Sequence, residues 1–110
     1  MVSGCRTTGL IQASAKLLTG KYKIVSIHGF NVAAGHASNN PEADFAIHAT
    51  FYDNTAASGT PLCAFTIPAG RSLEFDMHGA QLTKGLYVHI NTDPFSTGNA
   101  GSGGITVEYI

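Results

Sequence analysis

The 110-residue chain has no tryptophan, two cysteines, two methionines and few charges. Charged side chains make up 12 % of it, against a usual share of about a quarter. Six Lys and Arg stand against seven Asp and Glu, for a net charge of −1. Without a basic excess or stripe there is no electrostatic footprint for a polyanion, and nucleic acid is not expected as a partner. The low charge does not mean disorder, because 44 % of the residues are hydrophobic and disordered chains combine low hydrophobicity with high charge. No apolar run approaches the roughly 18 residues of a spanning helix. The start, Met1-Val2-Ser3-Gly4-Cys5-Arg6, lacks the basic-then-apolar order of a signal peptide, and no membrane association is expected. Cys5 and Cys63 are too far apart in sequence for a local metal or redox motif. They read as two reduced thiols, a bridge between them being disfavoured in a reducing cytoplasm. Glu and Lys, the good surface helix formers, are scarce, and no stretch of ten residues carries a 3.6-residue apolar period.

What is present points to β structure. Thr, Ile and Val are stiff at χ1 and fit a pleated surface, and the 13 glycines are spread as turns between short strands require. Period-two alternation recurs along the chain. From Tyr22 to Phe30 both faces are partly apolar, which predicts a central strand. From Asp44 to Asp53, Phe45, Ile47, Ala49 and Phe51 share one face. Cys63, Phe65 and Ile67 do so in Leu62 to Ile67, which Pro68-Ala69-Gly70 ends. Leu73, Phe75 and Met77 are expected inside and Ser72, Glu74, Asp76 and His78 outside. Leu86, Val88 and Ile90 follow after Gly85, and Ile105, Val107 and Tyr109 close the chain. Leu10 to Leu18 reads as an edge strand or a short helix, the strand being favoured. Two polar loops, Ala33 to Glu42 and the glycine-rich Asn91 to Gly104, are expected as functional surfaces or tips. The fold expected is a single antiparallel β-sandwich, jelly-roll-like, of about seven strands, with residues 1–15 as an arm or edge strand and 16–110 as the sandwich.

Candidate chemistry is thin. His28, His48, His78 and His89 fall in or at the ends of strands and His36 in a loop, but no two have the spacing of a local ligand pair, so no metal site is expected. Glu74 and Asp76 share an outward strand face at roughly 6 to 7 Å, a separation that overlaps glycosidase geometry; solvated or interface charges are the simpler reading. No Gly-x-Ser-x-Gly elbow is present. Gly101-Ser102-Gly103-Gly104 lacks the Lys-Ser/Thr of a phosphate loop and precedes a strand. No catalytic constellation and no cofactor site are expected. Neutral faces and polar loops suit packing against another protein.

Four segments carry a resemblance: Tyr22-Lys23-Ile24-Val25-Ser26-Ile27-His28-Gly29-Phe30-Asn31; Phe51-Tyr52-Asp53-Asn54 before a Thr/Ala/Ser/Gly linker; Phe65-Thr66-Ile67-Pro68-Ala69-Gly70 leading into Leu73-Glu74-Phe75-Asp76; and Lys84-Gly85-Leu86-Tyr87-Val88-His89-Ile90 before the final Ile105-Thr106-Val107-Glu108-Tyr109-Ile110. In this order they resemble the small β-sandwich virion proteins of tailed bacteriophages, most closely the capsid decoration, or cement, proteins. The resemblance implies a non-enzymatic protein on the outer head surface, in the host cytoplasm before assembly. It implies the major capsid protein and the chain's own copies as partners, a trimer being favoured over a dimer. It leaves open a tail or fibre module that binds host-surface carbohydrate or a receptor. It carries over no binding residues. Those expected at an interface are Leu10 and Ile11 in the N-terminal segment, His36, Asn39 and Asn40 in the first loop, Tyr52 and Tyr87 on outward strand faces, and Asp93 and Phe95 in the second loop.

Overall fold

The computed structural model describes residues 6–31, 46–68, 70–90 and 103–110. These form eight strands: β1 (Arg6–Thr7), β2 (Ala15–Thr19), β3 (Lys23–Asn31), β4 (Ile47–Tyr52), β5 (Pro61–Ile67), β6 (Arg71–Gln81), β7 (Gly85–Ile90) and β8 (Gly103–Tyr109). No helix occurs among the described residues. Sheet A has the order β1-β8-β3-β6 and sheet B the order β2-β7-β4-β5, with every pair antiparallel. The pairings β1·β8, β2·β7, β3·β6 and β4·β5 are the rungs of one long folded-back ladder. Wrapping that ladder into two layers creates the remaining contacts, β8·β3 and β7·β4. This is the jelly-roll order, two Greek keys closed over one core.

Between the sheets lie Ile24, Ile27, Ile47, Phe51, Ile67, Leu82, Leu86, Val88, Ile90, Ile105 and Val107, all essentially out of water. The period-two reading places Ile47, Phe51, Leu86, Val88, Ile90, Ile105 and Val107 correctly. Phe45 lies outside the described residues.

β3 is internal in sheet A, as its two apolar faces predict. The reason those faces both looked apolar is a bulge. Ile24 pairs with Tyr109 and Ser26 with Glu108, so β3 carries one residue more than β8 at this point. The extra residue resets the alternation, and Ile24 and Ile27 both reach the core. β6 has a larger irregularity opposite the same point: Ser26 faces Asp76 while Ile24 faces Ala80. The surplus is absorbed at His78 and Gly79, both with positive φ (53° and 74°), and Asp76 Oδ1 accepts from the His78 N–H at 2.8 Å.

Several expectations are corrected. The described residues hold eight strands, where about seven were expected, and the antiparallel sandwich stands. Of the two alternatives for residues 1–15, an arm or an edge strand, the described part follows the second, with β1 at the edge of sheet A. β1 pairs with β8, and Ile11 and Ile105 exchange backbone hydrogen bonds of 2.7 and 2.9 Å. Ile11 is buried in the core, so it is not free to meet a partner. Gly103 and Gly104 belong to β8 and not to a loop, because bare backbone is needed there. A Cβ on Gly103 would run into the Phe30 carbonyl, and one on Gly104 into Leu10 and the Ile11 carbonyl. Phe75 points inward as expected but stays 38 % exposed, because β6 is an edge strand and nothing described lies beyond it.

The flanks of the sandwich therefore differ. At the β1/β2 flank the Thr8 N–H reaches the Val107 carbonyl and Gln12 Nε2 reaches the Gly103 carbonyl at 2.6 Å. Ser14 Oγ then accepts from the Ile90 N–H and donates to its carbonyl. The chain thus crosses from sheet A to sheet B and seals that side. At the β5/β6 flank the two edge strands are joined by the turn in which the Arg71 N–H donates to the Pro68 carbonyl. Between them runs a shallow apolar cleft lined by Ile27, Cys63, Ala64, Phe65, Phe75 and Met77.

Candidate interaction faces

The outward side of sheet A gathers its charges around His28. Pairing sets His28 opposite Glu74 on β6 and Thr106 on β8, one step from Glu108. His28 Nδ1 lies 3.5 Å from Glu74 Oε2, and Nε2 lies 3.2 Å from Glu108 Oε1 and 3.0 Å from Ser26 Oγ. Ser, His and Glu in this order suggest a nucleophile and its base. The geometry argues otherwise, because Glu108 occupies the same nitrogen that would have to take the serine proton. Glu74, His28 and Glu108 thus lie side by side across β6, β3 and β8. The carboxylates approach opposite edges of the ring and do not converge on one point, and no set of three or more potential metal ligands converges among the described residues.

Glu74 and Asp76 do not converge on a common partner. Both are largely exposed, and each is turned to a different histidine, Glu74 to His28 and Asp76 to His78. The histidines are divided as well: His28 and His78 lie on sheet A, His48 and His89 on sheet B.

The outward side of sheet B is polar and aromatic. Tyr52 stands directly opposite Tyr87, and Tyr87 opposite Lys16. Thr50 lies between His89 and Ala64, and His48 Nδ1 is 2.9 Å from Thr66 Oγ1. Tyr52 and Tyr87, named separately as interface candidates, are thus brought together, both half-buried. Leu10 is 54 % exposed. His36, Asn39, Asn40, Asp93 and Phe95 lie outside the described residues, as does Cys5.

Two polar groups that alternation does not single out, Asp53 and Asn31, hold these faces in place. Asp53, just after β4, accepts from the N–H groups of Thr83, Lys84 and Gly85 and from the Thr83 hydroxyl, at 2.9 to 3.3 Å. Partial desolvation opposes its charge. The hydrogen bonds from Lys84, Thr83 and Gly85 outweigh that, so the carboxyl titrates below its ordinary 3.8. Asn31 is the buried polar side chain among the described residues, and its Nδ2 donates to the Ile67 carbonyl at 3.0 Å, tying sheet A to sheet B. Cys63 is a free thiol whose pKa is raised by burial, which makes it a weak nucleophile.

Comparison with protein-family models, with curated proteins and with solved structures finds no match.

Proposed function

We propose that this chain is a non-enzymatic structural protein of a tailed-phage virion, a decoration protein that binds the outer head surface and holds neighbouring capsomers together. The observation that carries the reading is the strand order, β1-β8-β3-β6 over β2-β7-β4-β5, an architecture used by viral capsid domains. The strand segments that resemble the phage proteins fall on β3, on β4, on the β5–β6 corner and on β7 and β8 of that order. The surface fits the task. With 12 % charged residues, broad contact with the major capsid protein desolvates few charges. Many weak contacts on a repeating lattice add up by avidity. No cofactor enters this function. The test is quantitative mass spectrometry of purified virions from a phage encoding the chain, followed by heating of particles that lack it. The expected result is a copy number matching the capsid lattice, with heads that assemble but lose genome on heating. Absence from the particle, or a few copies at the tail, overturns it.

A second reading has its own observation. Tyr52 and Tyr87 stand opposite each other across β4 and β7, with Lys16 opposite Tyr87 on β2, and jelly rolls also serve as lectin domains. Sugar rings stack on such pairs, which suits a tail or fibre module that binds host carbohydrate. Specific binding on a glycan array, lost in Tyr87→Ala, supports this reading; no binding removes it.

A further inference from the structure

We infer that the free edge of β5 pairs with the β5 edge of a second copy, joining two B sheets into one eight-stranded sheet about a two-fold axis. β5 has the sequence Pro61-Leu62-Cys63-Ala64-Phe65-Thr66-Ile67 and contains no charged residue. It ends sheet B, and no described strand lies on its outer side. Natural edge strands are usually blunted by charge, proline, bulges or shortness, because an unprotected edge is a template for another strand. The other three edges of this sandwich are blunted. β1 is two residues long. β2 carries Lys16 and a bulge. β6 carries Arg71, Glu74 and Asp76 and the irregularity at His78 and Gly79. β5 has one proline and one bulge, and both fall at its start: Pro61 pairs with Tyr52, and Leu62 is the extra residue. Residues 63–67 remain regular.

Charge selects the occupant. In a two-fold pair each strand meets itself, so any charge near the axis meets a like charge. β5 alone of the longer edges has none to oppose. The strand and the flank beside it supply apolar surface: Leu62 is 41 % exposed on β5, and Phe75 is 38 % exposed in the cleft it lines with Cys63, Phe65 and Met77. A second copy would cover that surface. The symmetry is two-fold, in place of the trimer expected from the sequence, because antiparallel pairing of identical edges closes after two members.

Sedimentation velocity of the purified chain over a wide concentration range tests this. A reversible monomer–dimer equilibrium is expected. The double variant Ala64→Lys/Thr66→Lys should weaken it at least about tenfold, since pairing centred on or between these residues sets lysines against each other. Glu74→Lys, on the outward side of β6, should leave it unchanged. Hydrogen exchange of the unmodified chain gives a second readout: β5 amides should gain protection with concentration while β2 amides do not. A monomer at every concentration, a trimer, or a dimer that keeps its affinity in the double variant overturns the inference. These outcomes do not depend on binding to virions, so the inference and the decoration reading fail separately.

Discussion

At the β1/β2 flank the chain crosses between the sheets on a run of hydrogen bonds from Thr8 to Ser14, and Ile11, Leu18 and Ile105 are buried there while Leu10 alone of the crossing's large hydrophobics stays exposed. At the β5/β6 flank one turn joins the sheets at one end, and Cys63, Phe65, Leu73, Phe75 and Met77 form a rim that is only partly covered. The same alternation of apolar and polar residues builds both flanks. What differs is whether a further segment of chain lies over the edge. A strand pattern says which face looks inward, and a neighbour decides how dry that face becomes.

Substitutions on the two sides should separate them. The largest effect is expected for Ile105→Ala, which empties a fully buried site against the 8–14 crossing. A loss of about 3 to 4 kcal/mol in urea unfolding is the expected size for a core isoleucine. A loss below about 1 kcal/mol would mean that the sealed flank contributes little. Asp53→Ala, away from both flanks, should cost about 1 to 2 kcal/mol by removing four donors' shared acceptor. Its native pKa is lowered, so the carboxylate's contribution is complete above the ordinary value of 3.8 and fades as pH falls through the native value. The stability gap between wild type and Asp53→Ala should therefore be constant at neutral pH and narrow only under acid. A gap that narrows above pH 5 contradicts the assignment.

Phe75→Ala should cost about 1 kcal/mol, well below a buried phenylalanine, because much of the ring already faces water and its main contact is Phe65 at 5.0 Å between centroids. A cost equal to that of Ile105→Ala would show that something covers the open flank. In the same variant Cys63 should react faster with a thiol reagent, since Phe75 helps line its cleft. The smallest effect is expected for Glu74→Gln. This exposed partner of His28 should change stability by no more than about 0.5 kcal/mol.

Much of the architecture is legible along the chain. Turn signals and period-two runs locate β3 to β8 to within a few residues, apart from the start of β8. They fix which side of β4, β6 and β7 looks inward, because side-chain alternation is a local property of extended backbone. The N-terminal strands are less legible. Arg6–Thr7 is too short to show a period, and Leu10 to Leu18 holds an isolated bridge at Ile11 and a bulge at Leu17 that break one. Of the interface candidates, Tyr52 and Tyr87 read correctly as outward, while Ile11 is taken up by the core.

The sequence by itself determined the β class, the strand spacing and a surface with little charge. The tertiary structure alone decided the rest. It placed Ile24 and Ile27 on one side through a bulge that forms only against Glu108 and Tyr109. It set Asp53 under the β6–β7 turn, some thirty positions away. It brought Ser26, His28, Glu74 and Glu108 together from three strands. It left Phe75 half-exposed, because β6 ended up at an edge. Each of these depends on which strand lies beside which, and that order is set by the wrapping of the ladder into two layers, a long-range event with no signature in any single strand.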